Sequence, residues 1–187
     1  MKKIATLFLA AAMSLLSVSA SAEPWREGEF RGTVILTVTG NVDMPTRGPS
    51  SDAVDKFFSY NDLSFDSAAQ FDVATLQALP QVQVKADFPK DGPVYTFEGP
   101  LLADVLRAAG ATGETVTIRA LDGYAVEMPM SEAIEKGAVV ALKRDGIPFA
   151  IGDFGPTHVV FPRAERMDLS SMNDDWWVWS IYNIQVE

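Results

Sequence analysis

The apolar residues of this chain come in short alternating runs, and Gly, Pro or Asp interrupts each run before it can grow long. Val34, Leu36 and Val38 alternate with Thr33, Thr37 and Thr39 between Gly32 and Gly40, the period of a strand with one buried face. Gln81 to Ala86 alternates through Val82 and Val84. Thr115 to Ala120 and Tyr124 to Met128 flank the turn Asp122-Gly123, and Ala138 to Leu142 and Ile147 to Ile151 flank Asp145-Gly146 as a hairpin. His158 to Phe161 and Trp177 to Val186 supply the last strands.

Helical signals are few and short. Asp72 caps Val73 to Leu79, which Pro80 stops. Pro100 opens a helix with an apolar stripe of Leu101, Leu102, Val105 and Leu106, and Gly110 closes it. Ser131 to Lys136 is a third, ended by Gly137. Many short strands with three short helices predict an α+β, mainly β domain. Asn41 to Gln70 reads as a long irregular excursion that Phe57, Phe58 and Phe65 anchor to the body.

The amino-terminal segment has a different design. Lys2 and Lys3 precede an apolar stretch from Ile4 to Val18 and the small-residue run Ala20-Ser21-Ala22. That order is the pattern of a cleavable signal peptide over residues 1–22, too short for a comfortable membrane span. Residues 23–187 then form one exported, periplasmic domain, with no direct membrane insertion. The formal charge of the chain is −10, and losing Lys2 and Lys3 takes it to −12. Such a surface repels nucleic acid and anionic lipid. The chain has no cysteine and a single histidine. This excludes disulfides, thiol catalysis, thiolate-bound metals and multi-histidine metal sites.

No glycine-rich phosphate loop and no G-x-S-x-G nucleophile turn is present. A lone histidine such as His158 is most often structural, and the adjacent acids Asp174 and Asp175 are usually just solvated. Trp176-Trp177-Val178-Trp179 stands above this background. In a strand, Trp177 and Trp179 face one side and Trp176 the other. Core packing uses one face, which leaves a ring on the other beside the acids. An exposed indole beside a carboxylate suits a flat heteroaromatic ligand, which stacks on the ring and donates N–H groups to the acid.

Five segments, in order, resemble the sulfite-oxidase-type molybdopterin-binding domain over roughly residues 71–186. Phe97-Glu98-Gly99-Pro100-Leu101-Leu102 with Asp104-Val105-Leu106 and Gly110 is similar to its F-x-G-x-x-L-x-D-x-L-x-x-A-G block. Asp122-Gly123-Tyr124 looks like its D-G-Y turn, and Arg144-Asp145-Gly146-Ile147-Pro148 like its N-G-x-P-L hairpin. Gly155 to Pro162 resembles its P-x-R-x-x-x-P strand, and Trp177-Val178-Trp179-Ser180-Ile181 its K-W-x-x-x-I close.

Members of that family bind molybdenum through a cysteine, and none is present here; Asp87 or Asp91 offers only harder oxygen donors. Where the family carries basic phosphate partners, this chain has Asp153, His158 and Trp176. The resemblance is therefore to a small, cysteine-less, periplasmic subset of pterin-binding proteins that regulate membrane sensors of cyclic-di-GMP signalling. It implies no enzymatic cofactor but a bound pterin as ligand, and the periplasmic domain of a membrane sensor as partner. The pterin site it implies comprises Asp122, Tyr124, Asp153, Gly155, His158, Trp176 and Trp177. Trp176 or Trp177 would stack the ring, and Asp122 or Asp153 would accept its N–H groups. The competing expectation is a molybdenum-cofactor oxidoreductase.

Overall fold

A computed structural model describes Phe30–Glu187; the expected signal peptide lies outside the described residues. The largest sheet is built from β1 (Val34–Gly40), β2 (Ala68–Asp72), β5 (Thr115–Ala120), β6 (Ala125–Pro129) and β11 (Ile181–Val186) in the order β2-β1-β11-β5-β6. Its pairs are antiparallel except β1 with β11, which run parallel. β3 (Gln81–Asp87), β4 (Val94–Pro100), β8 (Lys143–Arg144) and β9 (Ile147–Pro148) form a second, antiparallel sheet. β7 (Val139–Ala141) and β10 (His158–Val160) make a short ribbon. Among the described residues the α-helices are α1 (Lys56–Tyr60), α2 (Val73–Ala78), α3 (Leu102–Ala109) and α4 (Met130–Glu135), with one 3-10 turn at Met167–Leu169, and no helix is long and apolar enough to cross a membrane. The fold is α+β and mainly β, as expected.

Local chemistry explains most of the elements. Val116, Ile118 and Ala120 of β5 point inward and Thr115, Thr117 and Arg119 do not, the period of two read from the sequence. Asp72 caps α2 by accepting from the Thr75 N–H at 2.7 Å, and its second oxygen accepts from the N–H groups of Arg31 and Gly32 at 2.8 Å. Burial raises the Asp72 pKa, yet these donors outweigh it and hold the carboxyl below its ordinary range. Leu102, Val105, Leu106 and Ala109 give α3 one buried face, and Gly110 ends it in the left-handed region at φ 66°. One continuous core runs from Leu36 and Phe71 through Ile118 and Phe161 to Ile184.

The structure corrects four readings of the sequence. The hairpin at Asp145-Gly146 is formed by the short strands β8 and β9, while Val139–Ala141 turns away to pair with β10. The helix after Pro100 begins two residues later, because Pro100 ends β4. The excursion over residues 41–70 contains α1, and Phe58 packs edge-on against Phe65 at 5.4 Å. The last strand begins at Ile181, not at Trp177, because Ser180 takes φ 53° and breaks the extended chain. Trp177 and Trp179 therefore do not share a face: Trp177 is 2% exposed and Trp179 is 37% exposed.

Candidate functional site

Three segments meet at one end of the large sheet. The first is the turn after β5, where Gly123 takes φ 90° and the Asp122 carboxylate accepts from the Tyr124 N–H at 3.0 Å. The second is the loop that leaves β3 at Asp87 and carries Phe88. The third is Asp174 to Trp179, the irregular run before β11. Between them lies a cleft of about 340 Å³, within the range of small-molecule sites. Phe88, Trp177 and Trp179 give it aromatic walls, and Asp122, Asp174 and Asp175 give it carboxylates. No Lys or Arg is among its lining residues.

Hydrogen bonds tie the walls of the cleft to one another. The Tyr124 hydroxyl donates to the Asp175 carbonyl at 2.9 Å, tying the first segment to the third. Arg163 ties the second to the third. Its Nε donates to Asp87 at 2.7 Å and its Nη1 to Asp174 at 2.8 Å, while Nη2 bonds the Asp87 carbonyl. The guanidinium also lies 4.4 Å from the centre of the Trp177 ring. Arg163 is almost wholly buried, so these partners replace water around its charge. Burial pushes the Asp87 pKa up, but the Arg163 bond and backbone donors prevail and hold that carboxyl below its usual range. Both Asp174 oxygens are engaged, one by Arg163 and one by the Lys90 N–H. Asp122 keeps one oxygen without a protein partner among the described residues.

Of the residues singled out in the sequence, Asp122, Tyr124 and Trp177 come together in this cleft. Asp153 does not join them. It lines a second depression of about 170 Å³ with Tyr95, Arg144 and Phe149, and its carboxylate braces its own loop by accepting from the Ala150 and Gly155 N–H groups. Gly155 is buried there against the Ala150 backbone, whose carbonyl a Cβ would meet at 2.5 Å. Trp176 is half-buried and packs against Phe161, outside the cleft lining. Phe88 and Arg163 were not singled out. Phe88 offers no signal beyond an aromatic residue in a turn, and the acids that Arg163 joins lie 76 and 11 residues away from it.

His158 is wholly buried, outside the cleft lining, in a cage of aromatic rings. Phe154 stacks on it at 5.5 Å, and Phe88 meets it edge-on at 4.7 Å. Neither ring nitrogen makes a well-formed hydrogen bond. Burial pushes its pKa down to about 3; a polar contact with the Trp177 backbone opposes this, and the nearby Arg144 charge adds to it. The ring is therefore neutral at any physiological pH.

No protein-family model matches the chain, and no curated protein matches it in sequence. Among solved structures, it is similar to the sulfane dehydrogenase SoxCD from Paracoccus pantotrophus, with a TM-score of 0.55 at 12% identity. The match covers 81% of this chain and 37% of that one. A likeness at this level concerns the fold, which is sulfite-oxidase-like, as the sequence motifs imply.

Proposed function

We propose that this chain is a periplasmic pterin-binding protein, that the Asp122–Trp179 cleft is its ligand site, and that it regulates a membrane partner in cyclic-di-GMP signalling. The observation that carries the binding reading is the pairing of aromatic walls with carboxylates in a cleft that no cationic side chain lines. Trp179 offers a ring to stack on, and the open oxygen of Asp122 accepts N–H donors. A neutral, donor-rich heterocycle suits both, and the negative charge of the chain does not oppose it. The signalling role rests on the family resemblance in the sequence.

A molybdenum cofactor does not fit these residues. The chain has no thiolate to offer. The Asp87 carboxylate, one oxygen substitute named in the sequence, is bonded by Arg163 and by the Asp91 N–H. An anionic phosphate in the cleft would face three carboxylates without a compensating cation in the lining.

Purification from periplasm, followed by intact mass and denaturation, tests the proposal. The expected result is a chain lacking residues 1–22 that releases a fluorescent pterin on oxidation. A chain retaining those residues, or a released ligand of another class, contradicts it.

A further inference from the structure

Among the described residues, three buried side-chain nitrogens lack a well-formed hydrogen bond: both ring nitrogens of His158, which has only a polar contact with the Trp177 backbone, and Nε1 of Trp177. Buried polar groups are rarely left so, because each forfeits its bonds to water. All three belong to residues that pack on one side chain, Phe88. Its ring lies parallel to Trp177, with planes 9° apart and centroids at 5.6 Å, and edge-on to His158 at 4.7 Å. Phe88 is half-buried and lines the cleft, whereas His158 does not. The phenyl ring thus stands between the cleft and the imidazole.

We propose that Phe88 is a movable wall, and that the ligand site continues past it to the face of Trp177 and to His158. This deepens the cleft reading above and rests on it. A flat heterocycle that displaces the phenyl ring inherits its parallel stack on Trp177. Neutral imidazole has one donor and one acceptor nitrogen, and indole has one donor. The two imidazole nitrogens point apart, so the ligand that fits is a planar ring that stacks on Trp177 and carries at its edge a donor or an acceptor for one of them. Arg163 and Asp87 hold the backbone next to Phe88, so the motion is confined to the side chain.

The chain has a single histidine, so diethyl pyrocarbonate, which acylates neutral imidazole and is read by absorbance, reports on His158 alone. The folded wild-type protein is expected to react slowly, through openings of Phe88, and Phe88→Ala or the milder Phe88→Leu to react about tenfold faster with a cooperative melt retained. Saturation with 6-methyltetrahydropterin, verified by calorimetry, should protect the wild type. An inert wild type beside reactive variants means a fixed wall and overturns the proposal. So does unchanged reactivity in both variants, or a bound pterin that gives no protection, which would leave His158 served by an internal water only. Reaction accelerated in the variants, in a protein that binds no tetrahydropterin, keeps the extended cleft and instead sinks the pterin reading.

Discussion

Burial of His158 links the stability of this protein to pH. Its folded pKa, about 3, lies below that of a free histidine, so the unfolded chain takes up a proton that the folded one refuses. Stability is full above the unfolded value and falls as the pH drops through it toward the folded value. One proton amounts to about 1.4 kcal/mol per pH unit, so denaturant unfolding should show a loss of about 1.5–2 kcal/mol between pH 6.5 and pH 5. Asp55, Asp72, Asp87 and Glu98 also have lowered values, and their contribution is lost as pH falls through the ordinary carboxylate range toward those values, below the His158 window. His158→Leu should flatten the profile above pH 5, and a slope equal to the wild type's would mean that the imidazole is hydrated in the fold. The sequence made this residue visible as the only histidine, but could not say that four aromatic rings from three separate segments enclose it.

At the scale of elements, period and capping chemistry were legible because they are local. Asp72 caps α2 and Gly110 ends α3 where the residues put them. The tryptophan run was misread because one left-handed residue, Ser180, cancels the alternation that a strand would impose. β8 and β9 were misplaced because a Gly turn fixes where a hairpin reverses, not how far its arms stay paired. The cleft depends on a long-range contact that no window reveals, the Arg163 clamp between the β3 loop and the run before β11. Arg163→Met should cost about 3 kcal/mol, the scale of removing one partner from a buried ion pair, by thermal or urea unfolding. It should also weaken ligand binding, since Phe88 and Asp174 then lose their common anchor. A change under about 0.5 kcal/mol would show that the clamp is ornamental.

For the whole molecule, the fold is sulfite-oxidase-like, the chain has no cysteine, and the cleft at the end of its large sheet is acidic and aromatic. Asp122, Tyr124 and Trp177 were legible because a conspicuous turn and a conspicuous aromatic cluster carry them. Asp153 was grouped with them on motif order alone, and the fold gives it a different neighbourhood beside Arg144. Calorimetric titration of the mature protein with 6-methyltetrahydropterin, set beside Asp122→Asn and Trp179→Ala, tests the central claim most directly. The account predicts one site in the wild type, with affinity about tenfold weaker in each variant at an unchanged melting temperature, the scale of one charge-assisted hydrogen bond or one aromatic stack. No heat of binding in the wild type, or variants that bind as tightly as it does, would contradict it.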